Sequence, residues 1–421
     1  MAMRLTSLCV LSWVLLLATS LDAARSSKAP QLKPLTTTQD GALKRAKKWQ
    51  RAGIVKPSGQ LQVEEKEDQS HTLKDIKERI LAGAAKDRLR LEQPFVQNTK
   101  FCEKKSYRKA ALKQVRESPF LGLFKDLKNF TQFEGSSITY AKGMFYIVFD
   151  SLRALGRVNE QFQFRGAENV LIPEDAGETE SQFEGLQYMP STDSFIAVRE
   201  SIEHDSHGLV PLTEEIIINK NGDMWTLGEV CPVKFYGLED VNKGWESIYY
   251  YEEGGDKFLL GVCESNYCKT ILGDDPPGLQ RGNGRAVLTK HVKGDDEDSC
   301  HWEVVKEMNI PEEAYFLDYA GIAFYGGPTN AQKGSRVALV SQEDSAIWVG
   351  EFDWEALEFV PGGKVFHFPR DVNCDKMYCN VEGLYWLDSQ RLIFASDRSK
   401  SIQPFTCIAK DQSVHIMSLP N

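Results

Sequence analysis

The feature that most limits how this chain can fold is a short pattern that recurs along it. The stretch Phe183–Glu200 reads FEGLQYMPSTDSFIAVRE, a Glu-Gly-Leu-x-aromatic opening, a polar turn and an apolar run that ends at an acid. The stretch Val381–Asp397, VEGLYWLDSQRLIFASD, has the same opening and the same end. Alternating runs on either side of a turn predict a β-hairpin.

Three more segments follow this plan with more variation: Ser136–Asp150, Trp245–Glu264 and Tyr319–Glu343. A small residue recurs in every copy, at Ser137, Gly185, Ser247, Gly321 and Gly383, with spacings of 48, 62, 74 and 62 residues. One such hairpin cannot bury both its faces, so the repeat predicts a radial array of small sheets. We therefore predict an all-β fold, a β-propeller of five four-stranded blades; a sixth, degenerate blade is the alternative. The predicted outer strands include Phe162–Ile172 in the first blade and Phe405–Ala409 in the fifth.

Hairpin geometry brings particular acids together. The first residue of strand one and the last residue of strand two lie side by side at the open end of a hairpin. The acids paired in this way are Glu184 with Glu200, Glu246 with Glu264, and Glu382 with Asp397. If the hairpins are the inner strands of successive blades, these acids surround one channel mouth. Crowded carboxylates favour a hard, oxygen-liganded ion, so we predict a site for Ca²⁺ or another divalent cation.

A purely structural role for the same acids stays open. Acids at strand ends are common as solvated side chains. A carboxylate that accepts N–H bonds from the next blade would also recur once in each blade.

The first hundred residues predict a different organisation. Residues 1–24 combine a positive charge, a short apolar run and small residues, which is typical of a secretory signal peptide. Residues 25–100 are highly charged and poor in aromatics, so we predict a linker that is disordered or partly helical. Hydrophobic residues return in 101–135, a predicted lead-in that packs on the propeller domain, 136–421. Asn129 begins an N-glycosylation sequon.

The cysteines also indicate a secreted protein or one in the lumen of the secretory pathway. Eight remain once Cys9 is assigned to the signal peptide, and an even number in an exported chain favours disulfides. Two close pairs are spaced to close local loops, Cys263 with Cys268 and Cys374 with Cys379. Zinc is the alternative, but neither pair has C-x-x-C spacing and no histidine recurs with them.

Charge and hydropathy restrict the partners. A net charge of −10 and a pI of 5.4 argue against nucleic acid. Beyond residue 24 no apolar stretch reaches the length of a membrane span, so the mature chain is expected to have none. Oligomeric state cannot be read from the sequence.

Four other residues are candidates for chemistry. His204 and His207 follow Glu200 in a predicted loop at the same open end, and a histidine beside carboxylates can act as a general base. A polar loop is the alternative for this pair. Arg281 and Arg285 lie in a Gly/Pro-rich insertion from which they could bind a substrate phosphate, with a solvated turn as the alternative. No G-x-S-x-G, H-E-x-x-H or EF-hand pattern is present.

The motifs at Glu184–Tyr188 and Glu382–Trp386 resemble the blades of phytase-like (esterase-like) and SdiA-regulated propellers. They are also similar to the senescence-marker-protein/gluconolactonase and strictosidine-synthase-like group. This resemblance, over residues 136–421, implies six blades, a divalent cation at one channel mouth and hydrolysis of an ester, lactone or phosphoester. It also implies that Glu184 and Glu382 are metal ligands. The fourth copy departs from the motif, with Ala320 in place of the acid.

Two functions follow from these observations. The first is a cation-dependent hydrolase of a small ester or phosphoester, with the acids holding the metal or activating water. The second is a non-catalytic extracellular propeller that binds a protein or a glycan, with the acids serving blade packing. Fold alone does not decide between them.

Overall fold

The computed structural model describes residues 99–125, 132–174, 180–204, 208–235, 238, 243–265, 268, 281–294, 299–328, 334–400 and 403–420. The predicted signal peptide, nearly all of the charged segment 25–100, Asn129 and His207 lie outside these residues. The chain divides into two compact units, Met1–Pro94 and Phe95–Asn421, and every described residue belongs to the second.

Strands make up most of the described chain. They are β1 (Lys113–Pro119), β2 (Gly135–Ala141), β3 (Met144–Phe149), β4 (Leu152–Asn159), β5 (Val170–Ile172), β6 (Phe183–Met189), β7 (Ser194–His204), β8 (Gly208–Ile218), β9 (Trp225–Lys234), β10 (Trp245–Glu253), β11 (Asp256–Cys263), β12 (Arg285–Lys293), β13 (Cys300–Asn309), β14 (Gly321–Tyr325), β15 (Gly334–Ser341), β16 (Ala346–Asp353), β17 (Glu358–His367), β18 (Val381–Trp386), β19 (Arg391–Ser396) and β20 (Ser413–Ser418). The helices are short: α1 (Thr99–Glu103), α2 (Lys105–Ala110), α3 (Phe120–Leu123) and a 3₁₀ helix (Phe405–Ala409). None of them is long and apolar enough to cross a membrane.

The strands form antiparallel groups of four: β2 to β5, β6 to β9, β10 to β13, β14 to β17, and β18, β19 and β20 with β1. We call these groups the first to the fifth sheet. A short parallel pairing of β9 with β13 joins the outer edges of the second and third sheets. The first strands of the sheets contact one another in a closed series, β2–β6–β10–β14–β18 and back to β2. This radial arrangement confirms the predicted all-β propeller architecture.

Apolar clusters fill the spaces between neighbouring sheets. Phe145 and Ile393 belong to one cluster between the first and fifth sheets, and Trp348 to another between the third and fourth. Each fully buried side chain of this kind stabilises the fold by about 1.5–3 kcal/mol relative to its exposed state. The sheets are therefore held together by side-chain packing across their faces.

The small residue of each repeat lies where two first strands approach most closely. A Cβ atom on Gly321 would lie 2.3 Å from the carbonyl oxygen of Glu382 in the next sheet. The hydroxyl of Ser137 instead accepts a hydrogen bond from the Leu186 N–H at 3.1 Å, and Ser247 does the same for Ile322 at 3.2 Å. The repeat position admits only glycine or a serine that links neighbouring strands, which explains the periodicity in the sequence.

The last sheet corrects one prediction. An outer strand is predicted at Phe405–Ala409, but this segment forms the 3₁₀ helix, in which Cys407 is bonded to Cys379. The missing strand is β1, which comes from the predicted lead-in and pairs antiparallel with β20 from Lys113–Ser418 to Pro119–Ser413. Its polar sequence, KQVRESP, lacks the hairpin pattern, so sequence periodicity could not identify it.

A second correction concerns the outer strand predicted at 162–172. Only Val170–Ile172 is a strand. Phe162 and Arg165 have φ angles of 44° and 46°, in the left-handed region that ends a strand.

The eight described cysteines form four pairs: Cys102–Cys374, Cys231–Cys300, Cys263–Cys268 and Cys379–Cys407. The local pair Cys263–Cys268 agrees with its predicted spacing. The proposed Cys374–Cys379 pair is wrong, because Cys374 is bonded to Cys102, which lies 272 residues away. Short spacing does not determine where the two side chains point.

Candidate functional site

A β-bulge recurs at the beginning of the first strand in four sheets. The pairing register shifts by one residue in β2, β6, β10 and β18. The residues left without a cross-strand partner are Ser136, Glu184, Glu246 and Glu382. A bulge redirects the side chain of its extra residue. Here all four side chains line one cavity.

This acidic cavity has a volume of about 450 Å³. It is lined by Glu134, Ser136, Asp150, Glu184, Glu200, Lys243, Glu246, Glu264, Gln342, Glu382, Asp397, Arg398, Ser399 and Lys400. The structure thus places all six acids that the sequence analysis assigned to the metal site around one space.

The other three predicted acids lie on, or directly after, the second strand of the second, third and fifth sheets. Glu200 follows Arg199, which pairs with Phe183 beside the bulge. Glu264 and Asp397 directly follow the last residues of β11 and β19. Each first-strand glutamate therefore has an acid of the same sheet near it, as the hairpin argument predicts.

The fourth sheet departs from this arrangement. Ala320, which stands at the position of the first-strand acid, has no side-chain oxygen. In this sheet Gln342 lines the cavity at the position equivalent to Glu200. This side of the cavity is consequently uncharged.

Burial and mutual repulsion disturb the ionisation of these acids. Glu246 and Glu382 are each only 8% exposed. Burial, and then the charges of Glu264 and Glu200, raises the pKa of Glu246 well above its usual range. Burial raises the pKa of Glu382 in the same way, with Asp397 as the next cause. Several buried carboxylates this close together cannot all be ionised at neutral pH without a compensating positive charge.

Two further acids at the cavity have pKa values near neutrality. Burial is the main cause in both cases, raising the pKa of Glu200 to about 7 and that of Asp397 to about 7. For Glu200, hydrogen bonds from the Gly244 N–H at 3.1 Å and with Glu246 oppose the rise. A group with a pKa near 7 can accept and release protons under physiological conditions.

Positive charges at the cavity come from Lys243, Arg398 and Lys400. Lys243 Nζ lies 2.6 Å from a carboxylate oxygen of Glu264. Burial by itself would lower the pKa of Lys243, but the charge and hydrogen bond of Glu264, together with the charges of Glu246 and Glu200, outweigh burial and the pKa rises. The sequence analysis missed these cations. Their nearness to predicted acids was the available signal, since Lys243 lies three residues before Glu246 and Arg398 directly follows Asp397.

The acids of the cavity differ in the neighbouring groups that their carboxylate oxygens contact. Carboxylate oxygens of Glu200, Glu246 and Glu264 lie within 4.8 Å of one another, close enough to share one ion. Glu184 and Glu382, in contrast, form no hydrogen bond or ion pair with any described residue. A buried carboxylate without a partner is unfavourable, and a bound cation would remove that cost. The donor set is all oxygen, which suits Ca²⁺ better than softer metals.

Neither predicted catalytic histidine is among the described residues that line this cavity. His204 was expected in a loop, but β7 continues past Glu200 and His204 is its last residue, paired with Gly208. It does not line the cavity. His207 lies outside the described residues.

The predicted substrate-binding arginines are also elsewhere. Arg281 forms an ion pair of 2.7 Å with Asp344 and donates to the Tyr315 carbonyl. Arg285 begins β12 and donates to the carbonyl of Asn283 at 2.7 Å. Neither arginine lines the cavity, because local partners within the third and fourth sheets hold both side chains.

No protein-family model matches the chain, and no curated protein matches it. Among solved structures, it is similar to the Dos1 propeller (TM-score 0.32, 8% identity, covering 63% of this chain and 53% of that one). It is also similar to a GH43_12 protein from a capybara gut metagenome (TM-score 0.38, 13% identity, covering 76% of this chain and 55% of that one). A third similar structure is an α-L-arabinofuranosidase from Lactobacillus brevis (TM-score 0.38, 12% identity, covering 69% of this chain and 90% of that one). The chain spans about half the length of the first two structures. Likeness at this level assigns no activity to the chain.

Proposed function

We propose that the five sheets are the blades of one propeller whose channel mouth binds a divalent cation, and that this site hydrolyses a small ester or phosphoester. The observation that carries the proposal is the set of three bulged glutamates, Glu184, Glu246 and Glu382, directed from three sheets into one cavity. A role in blade packing alone would not need a bulge that turns them towards open space. The four disulfides among the described residues support a secreted or lumenal location.

Glu184, Glu246 and Glu382 would hold the cation, and Ca²⁺ is the ion their oxygens suit best. A bound divalent cation polarises a phosphoryl or carbonyl oxygen and lowers the pKa of water bound to it. Glu200 would accept a proton, since its carboxylate lines the same cavity and a bound cation favours its ionised form. Lys243, Arg398 and Lys400 would orient an anionic substrate at the same opening. The likeness of the Glu-Gly-Leu motif to phytase-like propellers supports this chemistry.

A second candidate is a non-catalytic propeller that binds an extracellular protein or glycan. It is favoured by Ala320, which supplies no ligand, and by the lack of a histidine among the described residues that line the cavity.

Hydrolysis of p-nitrophenyl phosphate and p-nitrophenyl acetate, measured with Ca²⁺ and with EDTA, separates the two candidates. We expect turnover that depends on Ca²⁺ and falls by about 10²–10⁴-fold in Glu200→Gln, the range for loss of a general base. Glu253→Gln is the matched control, because Glu253 is an exposed acid at the other end of β10. Absence of turnover in a protein that binds Ca²⁺ would support the non-catalytic candidate. Equal turnover in Glu200→Gln would contradict its assignment as the base.

A further inference from the structure

A second group of metal-ligating side chains lies away from the acidic cavity, where the outer strands of the second and third sheets meet. It consists of Glu229 and Cys231 on β9, His291 on β12 and Cys300 on β13. One donor atom from each lies within 4.8 Å of the other three. We propose that these four side chains bind Zn²⁺ when the Cys231–Cys300 disulfide is reduced. The inference is independent of the function proposed for the cavity.

The pairing of the strands builds this site. β9 and β13 run parallel, with Trp302 opposite Val233, so Cys231 and Cys300 each lie two residues before a paired position. Their Cα atoms are 5.1 Å apart. His291 lies opposite Trp302 in the antiparallel pair β12–β13, which brings its ring to the same point. The backbone of three strands therefore fixes the positions of all four ligands.

Two of the distances between donor atoms match those around a tetrahedral zinc ion. With Zn–S of about 2.3 Å and Zn–N or Zn–O of about 2.0–2.1 Å, tetrahedral geometry gives roughly 3.6 Å between sulfur and nitrogen and roughly 3.3 Å between nitrogen and oxygen. The Cys231 Sγ–His291 Nε2 distance is 3.7 Å. The His291 Nε2–Glu229 Oε2 distance is 3.3 Å. The two sulfur atoms, bonded in the oxidised chain, must separate to roughly 3.8 Å for the ion to be held.

Neighbouring groups support the ligands. The Trp302 ring packs edge-on against the His291 ring, with centroids 5.1 Å apart. Trp302 Nε1 donates to the Thr213 hydroxyl at 2.9 Å, and this hydroxyl donates to the Cys231 carbonyl at 2.9 Å. Outer contacts of this kind preset the orientation of metal ligands. Glu229, whose side chain is 44% exposed, leaves one side open to an ion from solvent.

The disulfide and the zinc ion exclude each other chemically. In the oxidised chain the two sulfur atoms are bonded together, which leaves only His291 and Glu229 as ligands. A dithiol reductant supplies two electrons and two protons: the protein S–S bond becomes two thiols, and the reductant becomes a cyclic disulfide. When the thiols bind Zn²⁺ they release their protons to solvent. Either state connects β9 to β13, so the link between the two sheets would survive a change of redox environment.

The test uses the full chain, reduced with a dithiol, separated from it under nitrogen and titrated with Co²⁺ as a spectroscopic probe. We expect the sulfur-to-cobalt charge-transfer band of a tetrahedral ion, displaced by Zn²⁺ and lacking in the oxidised chain. In His291→Ala, or in His291→Gln if the alanine variant does not fold, the affinity should fall by at least about a hundredfold, more than loss of an outer contact would cause.

His301→Ala is the matched control, because this histidine neighbours Cys300 on the same strand, and it should leave the affinity unchanged. The double variant Cys231→Ser/Cys300→Ser keeps the other seven cysteines and should lose the band. A band that persists in the double variant, or an unchanged affinity in both His291 variants, would show that other thiols bind the metal and overturn the proposal. So would the lack of any band in the reduced chain.

Discussion

Replacement of Glu382 by glutamine is expected to abolish stabilisation of the protein by Ca²⁺ and, at the same time, to stabilise the metal-free protein. Glu382 is 8% exposed and has no described partner, while Asp397 and Glu184 add repulsion. Glutamine has the same shape as glutamate but carries no charge. The replacement therefore removes the cost of burying a carboxyl group beside other acids in the metal-free cavity. The cation loses a charged ligand, and its affinity falls.

Thermal unfolding in EDTA and in excess Ca²⁺ measures both effects. Binding to the native state alone raises the free energy of unfolding by RT ln(1 + [Ca²⁺]/Kd), about 2.7 kcal/mol at a hundredfold excess over Kd. The wild type and Glu253→Gln should show this gain, and Glu382→Gln should show little of it. If Ca²⁺ stabilised Glu382→Gln as much as the wild type, Glu382 would not be a ligand of the ion. If Ca²⁺ did not stabilise the wild type, the proposal that the cavity binds a cation would be wrong.

The metal-free protein is expected to lose stability as the pH rises from about 5 to about 8. The folded-state pKa values of Glu200 and Asp397 are about 7, above their ordinary values of 4.5 and 3.8. The folded state therefore binds more protons than the unfolded state between these limits. Stability from these groups is fully present below the ordinary pKa and is lost as the pH rises through the folded-state value.

Unfolding by denaturant in EDTA, at several pH values, checks this dependence. Glu200→Gln removes one titrating group and should flatten the decline. Excess Ca²⁺ should remove or reverse it, because the cation favours the ionised carboxylates. Constant or rising stability of the metal-free wild type over this interval would contradict the ionisation states inferred for the cavity.

Much of the fold was predictable because its constraints are local and repeated. The small residue at Gly185 and Gly321 marks close strand approaches, and this constraint recurs once per sheet. The nearness of Glu184 to Glu200 follows from hairpin geometry, because the preceding residues Phe183 and Arg199 pair across the two strands. The gathering of the acids into one cavity required only that the hairpins form a ring.

Features that depend on contacts between distant segments were not predictable. Strand β1 pairs with β20 across about three hundred residues, and its polar sequence gives no periodic signal. The bond between Cys102 and Cys374 is equally remote along the chain. Lys243 and Lys400 line the cavity from segments just outside the repeated hairpins, so the repeat does not encode their positions.

The most direct test of the central claim is the position of a bound ion. Crystals soaked in Mn²⁺, an oxygen-seeking ion with a usable anomalous signal, should show an anomalous peak among the carboxylates of Glu184, Glu246 and Glu382. Soaking together with excess Ca²⁺ should weaken that peak. A fully soaked crystal without density there, or with its ion bound only at other acids, would contradict the account.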